Sequence, residues 1–300
     1  MEAKLAFELS GHQNPIFAAS LSQKPGILFT AGNDKGLVEW SLAKQQFIKV
    51  MFPVRASVYA ICCPEGLPLM ITGLRSGEVL VFNFIEQKVV MQLRHHTKSV
   101  FDIKYLAHKK ELLIASEDGT VSIWDINKLN LLHVLKVSAD TVRSIAISPD
   151  NKLMALGCRD NIVRIYHTED YSSVAELTGH TMAVFTTEFN NTGQYILSGA
   201  RDAQIKIWDV NTFEPVKNIP AHLFAINHIM QHPTRPYFAS ASMDKSIKIW
   251  GSDDFKLYKI ISREKGYPSH HLSVNKLAWN GDQLISVGDD KLVKVWDIGF

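Results

Sequence analysis

The stretch GARDAQIKIWDV, residues 199–210, decides the fold. In it Asp202 stands six residues before Trp208, and the same spacing recurs along the chain. The pairs are Asp34 and Trp40, Asp118 and Trp124, Asp160 and Tyr166, Asp244 and Trp250, and Asp290 and Trp296. From Asp34 onward the Asp positions step by 84, 42, 42, 42 and 46 residues. The first step is two periods, and one period past Asp34 lie Ser76 and, in the aromatic slot, Phe82. The chain therefore carries seven repeats. Each holds four short runs of alternating or β-branched residues, such as AVFTTEF, YILSGA, QIKIWDV and PVKNI, separated by turn signals. Such runs predict four antiparallel strands per unit. No unit of this size can cover both faces of its own sheet, so the units must stack. A period near 42 with four strands predicts an all-β, seven-bladed β-propeller of four-stranded blades over residues 1–300, as one domain.

The GH pairs at Gly11-His12 and Gly179-His180, with WD pairs at Trp124-Asp125, Trp208-Asp209 and Trp296-Asp297, closely resemble the WD-repeat propellers. The resemblance covers essentially the whole chain. It implies a buried chain of hydrogen bonds in each blade: a His before the first strand, a Ser or Thr in the second, the Asp in the next turn and the Trp in the third. Indole donates, a hydroxyl does both, a neutral imidazole does both and a carboxylate accepts. Four repeats match fully, with His12, Thr30, Asp34 and Trp40; His180, Ser198, Asp202 and Trp208; His222, Ser240, Asp244 and Trp250; and His270, Ser286, Asp290 and Trp296. The third has His96, Asp118 and Trp124 but Ile114 in the hydroxyl slot. The second (Val54, Thr72, Ser76, Phe82) and the fourth (Ser138, Leu156, Asp160, Tyr166) depart further and are expected to lean on apolar packing. The chain ends on LVKVWDIGF, a third strand, and begins with KLAFELSGH, which has the phase of a fourth. The first strand is thus expected to complete the last blade and close the ring.

A His–Asp–Ser set suggests hydrolysis, but its recurrence in blade after blade points to a structural network, which every blade needs. SEDGTVSIW fails the sialidase-type box because Gly119 follows Asp118 directly. No nucleophile elbow, HExxH, Walker or dinucleotide fingerprint occurs. The alternative is a lactonase-like enzyme with a metal in the channel; the expectation is a non-catalytic scaffold with no cofactor and no metal. Lys plus Arg number 32 against 30 Asp plus Glu, so no global charge draws the chain to nucleic acid. There is no apolar run of membrane-spanning length, hence no membrane expected. Cys62, Cys63 and Cys158 are too few for a disulfide framework and fit a reducing compartment, so a cytoplasmic monomer is expected.

In WD-repeat proteins resembling this one, partners dock where the loop before the first strand meets the Asp turn. Carried onto this sequence, one slot per repeat reads Phe17, Tyr59, Phe101, Arg143, Phe185, Asn227 and Asn275. The slot before the Asp reads Asn33, Arg75, Glu117, Arg159, Arg201, Met243 and Asp289. Aromatic rings and arginines are the side chains that anchor interfaces. The candidate face is therefore Phe17, Tyr59, Arg75, Phe101, Arg143, Arg159, Phe185 and Arg201, and its expected ligand is a protein or peptide with an acidic group.

Overall fold

A computed structural model describes residues 1–300. It contains twenty-eight β-strands and one 3-10 turn, Arg263–Lys265. The strands form seven four-stranded antiparallel sheets. Blade one consists of Ile16–Leu21, Ile27–Gly32, Gly36–Ser41 and Gln46–Pro53 in order from the centre outward, and the next five blades repeat this plan. Blade seven takes Val274–Asn280, Gln283–Gly288 and Val293–Gly299 from the end of the chain and Glu2–Leu9 from its beginning. The closing pair runs antiparallel from Glu2 opposite Gly299 to Leu9 opposite Val293. No helix is long and apolar enough to cross a membrane.

The core lies between blades rather than within them. Seven apolar clusters form, and each straddles one pair of neighbouring sheets. One joins Leu28 and Trp40 of blade one to Ile285 and Val295 of blade seven. Another joins Leu197 and Ile207 of blade five to Ile229 and Trp250 of blade six. Alternating strands explain this arrangement: each sheet turns one apolar face to each neighbour, so burial is complete only in the closed ring.

The turn joining the second and third strands shows why Asp is repeated. The residue after each network Asp is left-handed, with φ of 55° at Lys35, 85° at Gly119, 72° at Asn161, 64° at Ala203, 71° at Lys245 and 70° at Lys291. For a residue with a side chain this conformation costs about 1 kcal/mol. The Asp carboxylate offsets the cost by accepting the backbone N–H two residues on, at 3.0 Å from Thr120, 3.1 Å from Gln204 and 3.0 Å from Ser246.

The extra length of the seventh repeat falls in SREKGYPSHH, where the 3-10 turn ends on Gly266 at φ 83°.

Candidate functional site

Each complete blade carries one hydrogen-bonded chain. In blade five the Trp208 indole donates to Ser198 at 2.9 Å and the Ser198 hydroxyl donates to His180 Nε2 at 2.8 Å. The His180 Nδ1–H then donates to Asp202 at 2.9 Å. This order fixes a neutral Nδ1–H tautomer from the partners. Blades one, six and seven repeat it through His12, Thr30, Asp34 and Trp40, through His222, Ser240, Asp244 and Trp250, and through His270, Ser286, Asp290 and Trp296. Burial keeps the His222 imidazole below its ordinary range despite Asp244. Burial is the largest single effect and works against the Asp202 and Asp244 carboxylates, yet the imidazole hydrogen bond and charge together with the backbone hydrogen bonds outweigh it and hold both below theirs.

Blade three completes the same chain, contrary to the expectation of a missing hydroxyl. Ser122, on the third strand directly opposite Ile114, accepts the Trp124 indole at 2.9 Å and donates to His96 at 2.8 Å, and His96 reaches Asp118 at 2.7 Å. The hydroxyl has crossed one register position. In blade four the same crossing places Arg164 opposite Leu156. Its guanidinium holds Asp160 at 2.8 Å and Glu176 at 2.8 Å, while Ser138, in the His position, donates to Asp160 at 2.8 Å. Apolar packing is therefore not what replaces the network there. Blade two does behave that way: the buried Thr72 hydroxyl has no partner, and Phe52 stacks on Phe82 with centroids 5.1 Å apart.

In every blade the residue before the Asp position is tied by one backbone hydrogen bond to the residue two before the Phe17-type slot. Arg75 N–H donates to Ser57 O, Arg159 to Thr141 O and Arg201 to Ala183 O, at 2.8, 2.9 and 2.8 Å. This repeated bond sets the slots around one channel mouth. There Phe17 lies 5.3 Å from Tyr59, and Tyr59 stacks on Phe101 at 5.3 Å. The Arg143 guanidinium sits between the Phe101 and Phe185 rings, 4.2 and 4.6 Å from their centroids. Five side chains from five blades thus make one continuous arc of contacting rings and a guanidinium, with the Phe17 ring tilted 55° to Tyr59. Asn227 and Asn275 complete the circle differently, donating at 2.9 Å to the carbonyls of Val274 and Ile16 in the next blade. Burial lowers the Arg143 pKa, whereas Arg75, Arg159 and Arg201 stand exposed around a depression of about 300 Å³. That depression brings together seven of the eight expected residues; Phe17 lines the adjoining channel cavity, of about 390 Å³.

Two features of this face went unnoticed in the sequence. Deeper in the channel, one inner strand is tied to the next by side chains. Asp102 accepts Ile145 N–H at 2.9 Å, Thr186 accepts Ile229 N–H at 3.0 Å, and His228 Nδ1 accepts Leu277 N–H at 3.2 Å. Lys104, Glu188 and Lys276 share that cavity, where burial raises the Glu188 pKa and lowers that of Lys276. Asp102, Thr186 and His228 keep the 42-residue phase one position after the Phe101 slot, so reading one residue further would have exposed them. Beside the arc, Met182, Leu223, Phe224, Met243 and Leu272 form an apolar crescent on blades five to seven, with Leu223 79% exposed. Met182, Phe224 and Leu272 each stand two residues after a network His and Met243 directly precedes Asp244, so these residues also keep the repeat phase, in part at a position after the His that the two slots do not cover.

No group of three or more His, Cys, Asp or Glu side chains is arranged to hold a metal. The Cys62, Cys63 and Cys158 thiols are unpaired, and burial pushes each up to about 12.

The family model for the nucleolar protein 10-like N-terminal domain, a β-propeller, matches residues 98–291. This chain belongs to that family. Among curated relatives, U3 small nucleolar RNA-associated protein 12 of Saccharomyces cerevisiae is 25% identical over 201 residues, 60% of this chain and 21% of the relative. The WD repeat-containing protein 3 homolog of Dictyostelium discoideum is 26% identical over 61% of this chain and 20% of its own length. Nuclear distribution protein PAC1 of Komagataella phaffii is 24% identical over 63% and 41%. The chain spans about a fifth of the first two relatives. The expected cytoplasmic location is overturned by these names, since the family and the yeast relative are described as nucleolar. Composition and cysteine content, on which that expectation rested, carry no address within the cell.

Proposed function

We propose that this propeller is a monomeric protein-interaction scaffold that works within larger protein or ribonucleoprotein assemblies and takes its partner at the channel mouth. The relatives named for U3 small nucleolar RNA association and nuclear distribution support the scaffold reading. The observation that carries the site is the pairing, on one face, of three exposed arginines over a stacked arc with an exposed apolar crescent. The fitting ligand is an extended segment whose acidic residue meets Arg75, Arg159 or Arg201 and whose apolar residue covers Leu223 and Phe224. Arginine binds a carboxylate in bidentate fashion, and the half-buried Arg143 stack holds the floor rigid beneath it. Glu117 and Asp289, with Asp140 3.7 Å from Arg159, interrupt any track that could follow a phosphate backbone. The recurring His–Asp pairs are each tied to a hydroxyl and an indole, which supports a structural and non-catalytic role for them.

The test is affinity capture from native lysate with wild-type protein and the Arg159→Glu/Arg201→Glu variant, after both are shown to melt alike. The expected outcome is a partner retained by wild type and weakened about tenfold or more by the variant. Equal recovery by both baits removes the mouth face from consideration.

A further inference from the structure

The outer wall of the ring is as uneven as its mouth. Half of the large apolar side chains that reach solvent lie on the outermost strands and adjoining turns of only three consecutive blades. In blade one they are Phe47, Ile48 and Val50; in blade two Ile85, Val89 and Met91; and in blade three Leu131, Leu132 and Val134. Ile85 is 78% exposed and Val50 53%. The outermost strand of blade four, Ser173–Leu177, shows no large exposed apolar side chain, and that of blade five shows only Val216. Charge follows the same division. The wall of blades one to three exposes Lys44, Lys49, Lys88, Lys128 and Lys136 against the exposed Glu86, 2.9 Å from Lys88, and the largely covered Glu39, 3.8 Å from Lys49, whereas blade four exposes Glu169, Asp170 and Glu176. The walls are continuous: Lys49 Nζ of blade one donates to Gln87 Oε1 of blade two at 3.3 Å, and Val90 of blade two and Leu129 of blade three pack against one shared cluster.

A contiguous apolar surface interleaved with one sign of charge marks a docking site for a ligand of the opposite sign. We infer that the outer wall of blades one to three binds an acidic amphipathic segment of a partner protein, at a site separate from the channel mouth. Leu, Ile or Phe residues of that segment would cover Ile48, Val89 and Leu132, with its carboxylates facing Lys49, Lys88 and Lys136. A lipid surface fits the wall less well. Three neighbouring blades describe a convex arc, which a plane touches along a line, and all but Ile85 among the apolar residues lie in strands instead of protruding loops. A second copy docking through the same wall would bring lysine against lysine, and blade four's acidic wall lacks apolar side chains to cover the patch.

The experiment selects binders from a displayed library of short random peptides on immobilised wild-type propeller. Three variants are compared: Ile48→Glu/Leu132→Glu, Lys49→Glu/Lys88→Glu/Lys136→Glu, and Arg159→Glu/Arg201→Glu. The substituted wall side chains are exposed, and thermal midpoints equal to wild type show that the variants fold. The inference expects a class of peptides rich in Asp and Glu interleaved with Leu, Ile or Phe, whose affinity falls about tenfold or more in both wall variants and at high salt. That class is unaffected by the arginine variant, which keeps this site distinct from the mouth. The inference is overturned if no selected peptide responds to the wall variants, or if those that respond are basic or uncharged. It is overturned equally if phosphatidylserine vesicles float the protein with the same variant dependence, or if the wall variants abolish self-association in sedimentation.

Discussion

Blades six and four solve one mechanical problem with different chemistry. Both must tie the loop entering the blade to the turn between the second and third strands. Blade six uses a neutral imidazole, with His222 2.9 Å from Asp244 and 2.7 Å from Ser240. Blade four has Ser138 in place of the His and lets Arg164 hold Asp160 from across the sheet. What the repeat preserves is the tie to the Asp; the partner comes from whichever strand of the register pair can supply it. Blade three is the intermediate, with the imidazole kept and the hydroxyl moved to Ser122. Blade two shows the limit, a buried hydroxyl with no partner among stacked phenylalanines.

The strongest way to break this comparison is Ser122→Ala. If the relocated hydroxyl is equivalent to that of the complete blades, its loss strands the Trp124 N–H and His96 Nε2 and costs about 2 kcal/mol in chemical unfolding, the same as Ser240→Ala. A much smaller cost than that of Ser240→Ala makes the crossing incidental.

A weaker effect separates blades six and four by pH. The folded His222 pKa lies below the unfolded value of about 6.5, so its contribution is full above that pH and is lost as pH falls below it. The folded Asp244 pKa is also depressed, so its contribution is lost only further down, through and below the carboxylate range near 4. His222→Gln should therefore flatten the fall in stability just below pH 6.5, measured as melting temperature against pH. Arg164→Gln, which alters a group that stays charged throughout, should leave that slope unchanged while lowering the whole curve.

The smallest effect is expected in blade two. Thr72→Val removes a hydroxyl that bonds to nothing and keeps the shape, so stability should change by less than about 1 kcal/mol, with an increase as readily as a decrease. A loss comparable to Ser122→Ala would reveal a partner for Thr72 in solution.

The ring, its seven units and its closure were legible because a 42-residue phase survives all substitutions within it. The mouth arc was legible for the same reason: Phe17, Tyr59, Phe101, Arg143 and Phe185 share one slot. Ser122 and Arg164 escaped because the reading followed one strand, whereas hydrogen bonds follow the register between two. The position paired with Ile114 and Leu156 would have disclosed both. Leu223 and Phe224 escaped because the two slots that were followed skip the positions just after the His, where Met182, Phe224 and Leu272 stand in phase. The wall of blades one to three escaped because exposed and buried apolar residues look alike in an outermost strand, where neither face has a further sheet to cover it.

The seam between Glu2–Leu9 and Val293–Gly299 has a consequence for biosynthesis. Six blades are built from neighbouring segments and can assemble as the chain leaves the ribosome, but the seventh waits for its two ends to meet. Until then Glu2–Leu9 is synthesised without its partner, and the two faces of the gap in the ring expose core side chains, Leu28 and Val38 of blade one and Ile247 and Ile249 of blade six. Every other pairing in the sheets spans a short stretch of chain, so this one contact carries most of the entropy of closure and sets the interval in which a nascent chain is open to misassembly or to capture by a chaperone.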